Sequence, residues 1–149
     1  MQEVIAQLTP EEGDKLHVYD DATGLPIGPG TVVQGHPTIS RGVKLDAPGG
    51  LDENESAYLT INRINDAVTE LDQALPWWKS LNDARQRILI DMTYNMGIGG
   101  LLGFHDMLDY LHLGEYDLAS IQMLNSEWDT EVKARAAHLA EIMKTGVWV

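Results

Sequence analysis

Asp52-Glu53-Asn54-Glu55-Ser56-Ala57-Tyr58-Leu59 begins the stretch that decides the architecture, and Ala74-Leu75-Pro76 ends it. Asp52 has a side-chain oxygen to offer the unpaired N–H groups at a helix start, and Glu55, three residues on, reaches back to close a capping box. The acids of this first turn also suit the positive end of the helix dipole. Inside the stretch Tyr58, Ile61, Ile64, Val68 and Leu71 recur at spacings of three and four, which puts them on one helical face. Pro76 has no N–H to continue the ladder, so the pattern stops there. A helix of roughly 20 residues is about 30 Å long, enough to join two lobes.

Upstream the pattern changes. Between Lys15 and Val43 the apolar and β-branched positions are Leu16, Val18, Thr31-Val32-Val33 and Thr38-Ile39, separated by Gly24, Pro26, Gly28, Pro29, Gly30, Gly35, Pro37 and Gly42. Short strands joined by turns look like this, and the reading is a small antiparallel sheet. Residues 1–13 read as a short helix or two helical turns, punctuated by Thr9-Pro10 and closed by Gly13. Downstream of Pro76, residues 81–95, 104–111, 116–124 and 132–143 all show helical spacing, with Gly97-Ile98-Gly99-Gly100, Gly103, Gly114 and Gly146 as stops. The fold class expected is α+β. One domain covers residues 1–149: a lobe with a small antiparallel sheet (1–51), a connecting helix (52–75) and a helical lobe (76–149).

Composition narrows the function. The 149 residues, 44% of them hydrophobic, bury one substantial core rather than two. No cysteine is present, so neither a disulfide framework nor a Cys-liganded metal is available. Met1-Gln2-Glu3-Val4-Ile5-Ala6-Gln7-Leu8 lacks the basic start and apolar run of a signal peptide. The most apolar later stretch, residues 88–104, is broken by Asp91, Asn95 and several glycines and reads as core rather than a membrane span. A net charge of −13 repels a polyphosphate backbone, so nucleic acid is not an expected partner. Residues 1–75 hold 13 of the acids and 4 of the bases, which directs attention to that half for chemistry.

His17, His36, His105, His112 and His138 show no metal-binding spacing and read as isolated surface residues; no metal and no cofactor are expected. Gly97-x-Gly99-Gly100 lacks the preceding strand of a nucleotide site and reads as a helix break. Trp128 and Trp148 read as core, while Trp77-Trp78 stays open between core and a sugar-stacking platform.

Three residues suggest a reaction: Glu12, Asp21 nine positions later, and the hydroxyl of Thr38. Splitting a glycosidic bond needs a protonated carboxyl at the leaving oxygen and an ionised one across the sugar ring. Locally each has a plainer reading. Glu12 completes a capping box with Thr9, Asp21 opens an Asp-Ala-Thr-Gly turn, and Thr38 is an ordinary strand residue. With 23 acids in the chain, spacing alone leaves both readings open.

Glu12-Gly13, then Tyr19-Asp20-Asp21-Ala22-Thr23-Gly24, then Pro37-Thr38-Ile39 resemble the Glu-Gly, Tyr-x-Asp-x-x-Gly and Thr-Ile signature of phage-type lysozymes, glycoside hydrolase family 24 of the T-even phage type. The likeness continues in the family's order through residues 90–97, Gly103-Phe104, Ser126-x-Trp128, Arg135 and Thr145-Gly146-x-Trp148. The resemblance implies a lysozyme-like fold and an inverting muramidase, or endolysin, that cuts between N-acetylmuramic acid and N-acetylglucosamine in peptidoglycan. It implies Glu12 as proton donor, and Asp21 with Thr38 as holders of the attacking water. Asp20 is the rival base; the Tyr-x-Asp-x-x-Gly frame favours Asp21, and Asp20 points to the other face of an extended stretch. Tyr94, Asn95, Phe104, Gln122 and Arg135 are the implied substrate-binding residues. Arg135 resembles the family's cation near the catalytic Glu, where it lowers that carboxyl's pKa unless burial opposes it. The expected protein is a monomer that stays in the host bacterial cytoplasm until lysis, with peptidoglycan as partner.

Two departures stand out. The family's Thr-Ile-Gly-x-Gly-His is here Thr38-Ile39-Ser40-Arg41-Gly42-Val43, and the interval from Asp21 to Thr38 is longer, with residues 25–36 expected as an enlarged hairpin. A side chain at Ser40 intrudes where the family leaves backbone clear for substrate. The alternatives are therefore a wall-binding or interaction module on a lysozyme fold with impaired catalysis, or a lytic transglycosylase, which needs the acid and no water-activating Asp.

Overall fold

The computed structural model describes residues 2–6, 15–124 and 133–148, with the side chains of residues 133–135 excepted. The architecture is α+β and divides into two compact units, residues 1–58 and 59–149.

In the first unit residues 2–6 are helical. Strands β1 (Lys15–Asp20), β2 (Pro37–Ser40) and β3 (Val43–Lys44) form an antiparallel sheet in the order β1-β2-β3. The register sets Tyr19 opposite Thr38 and Asp20 opposite Pro37, with an irregularity between Lys15 and Tyr19. Across the next ladder Thr38 faces Lys44 and Ile39 faces Val43.

Thr31-Val32-Val33, expected as a strand, forms none. The Thr31 hydroxyl accepts the Gly28 N–H at 3.0 Å, while the Thr31 N–H donates to the Gly28 carbonyl at 3.0 Å. This closed turn competes with any ladder, and Val32 lies 85% exposed. The insert therefore adds no strand of its own and serves as the long loop of the β1–β2 hairpin. Near its start it meets β1 through an isolated bridge from Pro26 to Tyr19, with the Asp20 N–H donating to the Leu25 carbonyl at 2.9 Å and the Ile27 N–H to the Val18 carbonyl at 3.0 Å.

Helix α1 (Glu53–Ala74) carries the expected capping box. The Glu55 N–H donates to Asp52 Oδ1 at 2.8 Å, and the Asp52 N–H to Glu55 Oε2 at 2.9 Å. Its apolar face is covered only in part. Leu71 is fully buried and Val68 packs on the core, but Tyr58 and Ile61 are 66% and 56% exposed. Periodicity identifies a face; it does not say how far along the helix a core extends.

The second unit adds a 3₁₀ turn (Trp78–Ser80), α2 (Asp83–Leu102), α3 (His105–Leu113), α4 (Tyr116–Leu124) and α5 (Lys133–Thr145). Helices α3 and α4, α4 and α5, and α2 and α5 pack in pairs. Leu71, Ile88, Leu89, Met92, Leu101, Met107, Leu111, Met123, Ile142 and Met143 are sealed in their core, each contributing about 1.5–3 kcal/mol by leaving water.

Two glycines act as the sequence suggests. Gly97, at φ +73, interrupts α2, and Gly114, at φ +79, ends α3 in the left-handed conformation. Beyond α5, the Asn82 amide donates to the Gly146 carbonyl at 2.7 Å. The guanidinium of Arg85 donates to the carbonyls of Met143 at 2.8 Å and Lys144 at 3.0 Å, placing a cation on the negative end of that helix.

Trp78 is core, its indole N–H donating to Asp72 Oδ1 at 2.8 Å, while Trp77 stacks flat on His112 at 4.6 Å. Trp148 is not core. It follows the end of α5, is 45% exposed, and meets the edge of His138 and the guanidinium of Arg87. Trp128 lies outside the described residues. Among the described residues no helix is long and apolar enough to cross a membrane.

Candidate active site

Strand β1 ends on two adjacent carboxylates that the fold treats oppositely. Asp20 is buried and accepts three backbone N–H groups: Oδ1 takes those of Ala22 and Gly35, each at 3.0 Å, and Oδ2 that of Gln34 at 2.7 Å. These bonds, led by that from Gln34, hold its pKa below the ordinary value against the opposing effect of burial. Asp20 thus ties the far end of the long loop back to the strand.

Asp21 enters the turn, and its side chain keeps 29% of its surface exposed. Oδ1 accepts the His36 N–H at 2.7 Å, and the Asp21 N–H donates back to the His36 carbonyl at 3.1 Å. Oδ2 lies 3.5 Å from Lys44 Nζ. The His36 N–H bond is the largest influence lowering the Asp21 pKa; burial opposes it, and the charges of Lys44 and His36 add to it. The carboxylate is therefore ionised in neutral solution. Gly35 must remain glycine, because a Cβ there collides with Asp21 Oδ1 and comes within 2.9 Å of the Ala22 nitrogen.

Thr38 is 1% exposed, and its hydroxyl donates to the His36 carbonyl at 3.0 Å. The backbone of one residue thus gathers both candidates: the N–H of His36 binds Asp21 and its C=O binds Thr38. The His36 ring is not isolated as the sequence suggested. Its Nδ1 lies 2.9 Å from Asp46 Oδ2. Ser40 stands at φ +56, a left-handed conformation that favours glycine, at the position where the signature has one.

Glu12 lies outside the described residues. In the second unit Tyr94 is 46% exposed, and Asn95 donates its amide N–H to the Asp91 carbonyl at 2.6 Å. Phe104 is half-buried against the core, Gln122 is half-buried on α4, and Arg135 falls in the first turn of α5. Tyr94 lines a polar groove of about 620 Å³ between α1 and α2 with Arg63, Asp66, Glu70, Gln73 and Thr93. Asn95, Phe104 and Gln122 are not among its lining residues. Among the described residues no three metal-binding side chains cluster.

Sequence reasoning missed Lys44, Asp46 and the role of His36. A signal for Lys44 existed: a three-residue turn centred on Arg41 sets positions 38 and 44 opposite each other, so a lysine there shares a face with Thr38. Nothing local pointed to Asp46.

A three-stranded antiparallel sheet ending in a paired carboxylate turn, followed by a long capped helix and a helical unit, defines an α+β class. No protein-family model matches the chain. It is similar to the pre-baseplate central spike protein Gp5 of Enterobacteria phage T4, 28% identical over 155 residues that take in 93% of this chain. The chain spans only 27% of that protein's length. Two proteins of Dictyostelium discoideum, probable T4-type lysozymes 1 and 2, are each 24% identical over 91% of this chain and 90% of their own length.

Proposed function

We propose that this chain is a lysozyme that hydrolyses the β-1,4 bond between N-acetylmuramic acid and N-acetylglucosamine of bacterial peptidoglycan with inversion, Glu12 as general acid and Asp21 as general base. The observation that carries this reading is the contrast at the end of β1: Asp20 has spent both oxygens on backbone N–H groups, whereas Asp21 is ionised, partly exposed and fixed by one N–H. Likeness to two proteins named T4-type lysozymes over 91% of the chain supports it.

In the proposed reaction Glu12 gives its proton to the leaving sugar oxygen as the glycosidic bond breaks. Water attacks the anomeric carbon from the opposite face and yields its proton to Asp21. The Thr38 hydroxyl has committed its hydrogen to the His36 carbonyl, so toward that water it serves as an acceptor. Such a water gives one hydrogen to Asp21 and one to Thr38, leaving a lone pair for carbon. Inversion requires the Glu12 and Asp21 carboxyls to stand about 6.5–9.5 Å apart. Tyr94 offers an exposed ring for a sugar face, and Asn95, Phe104, Gln122 and Arg135 complete the proposed substrate contacts.

A second reading has one observation in its favour. Ser40 places a side chain on a left-handed backbone where the signature has glycine, which suits a wall-binding module with impaired catalysis. Digestion of purified peptidoglycan with mass analysis of the fragments separates the readings. Reducing muramyl ends are expected from the wild type, with Glu12→Gln and Asp21→Asn each slowing release by about 10²–10⁴-fold. Anhydro-muramyl ends would indicate a transglycosylase. Binding without fragments would indicate the module.

A further inference from the structure

We infer that Lys44 is a positioning residue for Asp21, keeping that carboxylate charged and its Oδ2 turned to the water it activates. This rests on the proposed role of Asp21.

The two oxygens of Asp21 are held by different means. Oδ1 is bound at 2.7 Å by the N–H of His36, a donor that is neutral, does not titrate, and is itself fixed by the return bond from the Asp21 N–H. Oδ2 has Lys44 Nζ at 3.5 Å. That is beyond the usual 2.7–2.9 Å of a charge-assisted hydrogen bond, so the ammonium acts on the carboxylate more through its charge than through a hydrogen bond. The Asp21 side chain keeps 29% of its surface exposed to solvent.

The sheet makes the placement reproducible. Thr38 and Lys44 are direct partners across β2 and β3, so one rung presents the hydroxyl and the ammonium to the same turn. The other charged groups nearby have partners of their own, and of these the charge of His36 adds to that of Lys44 at Asp21. The imidazole of His36 pairs with Asp46, and the carboxylate of Asp20 is directed to Gln34, Gly35 and Ala22. Lys15 lies over the Tyr19 ring and donates to the Gly24 carbonyl. Lys44 is half exposed and sits on a two-residue strand.

The test compares wild type, Lys44→Met, Lys44→Arg and Asp21→Asn by the rate of peptidoglycan hydrolysis across pH, together with carbon NMR titration of the Asp21 carboxyl. Lys44→Met is expected to move the acid limb of the rate profile and the NMR titration to higher pH, with about a threefold loss of rate on that limb. Lys44→Arg restores both, because it returns the charge. High salt moves the wild-type titration in the same direction as Lys44→Met, since an exposed pair is screened. A Lys44→Met profile and Asp21 titration that coincide with wild type overturn the inference and leave the proposed function standing. Full hydrolysis by Asp21→Asn overturns the proposed function and the inference with it.

Discussion

Ser40→Gly should stabilise the protein. Ser40 closes β2 at φ +56, opposite Lys15 in the ladder, and a left-handed backbone costs a residue with a Cβ about 1–2 kcal/mol. Glycine removes that cost but gives the unfolded chain more freedom, worth roughly 0.4–1 kcal/mol in the other direction. The net gain is about 0.5–1 kcal/mol. For a chain of this size, 1 kcal/mol moves the melting temperature by about 2–4 °C, so a rise of about 1–4 °C is expected by scanning calorimetry. Ser40→Ala is the control, because it removes the hydroxyl and keeps the Cβ; it should gain nothing. Gly42→Ala is the mirror image at φ +83, and should lose about 1 kcal/mol or more. The reasoning fails if Ser40→Gly melts below wild type, or if Ser40→Ala gains as much as Ser40→Gly. Wall hydrolysis that rises in Ser40→Gly and not in Ser40→Ala would further show that the Cβ obstructs the site.

Arg85→Ala should destabilise the helical unit by about 3 kcal/mol. It removes two charged hydrogen bonds to α5 carbonyls, each worth about 1.5 kcal/mol, and a guanidinium stacked 3.4 Å from the centre of the Tyr116 ring; a melting point lowered by about 6–12 °C in helical circular dichroism is the expected reading. Acid should unfold the sheet unit through Asp20 and Asp21. Both have folded-state pKa values held below 3.8, so their stabilisation is complete above that pH and is lost as pH falls through the lower folded values; denaturant midpoints from pH 5 to 2 should decline chiefly at the acid end, and Asp20→Asn should flatten that decline.

What the sequence revealed divides by the range of the interaction. The Asp52 and Glu55 box, the left-handed Gly114 and the break at Gly97 were legible because three or four consecutive residues contain the whole cause. Thr31-Val32-Val33 misled because β-propensity is weaker than a closed turn between Gly28 and Thr31. The stripe on α1 was read correctly as one face, but spacing does not say how far a core extends, and Tyr58 and Ile61 stay exposed. Trp148 misled because it follows Gly146, past the end of α5 and its periodicity. Among the candidate site residues, Asp21 and Thr38 were singled out through a motif. The groups that tune them come from His36, Lys44 and Asp46, separated from Asp21 by 15 to 25 positions, and only the register brings them near.

Asp20 and Asp21, adjacent and chemically identical, are placed in opposite environments. At a strand end successive side chains leave on opposite sides, and on one side the long loop folds back with a fan of N–H groups from Ala22, Gln34 and Gly35. A carboxylate that fills such a fan is stable because its lone pairs are used, and for the same reason it has little affinity for a proton from water. Its neighbour receives one N–H and a distant ammonium, which is enough to keep it charged and too little to saturate it. The loop that Asp20 ties down also carries the His36 backbone N–H and C=O that bind Asp21 and Thr38. In the proposed role of Asp21 as base, the buried aspartate that ties down the far end of the long loop is therefore what holds the exposed one in place.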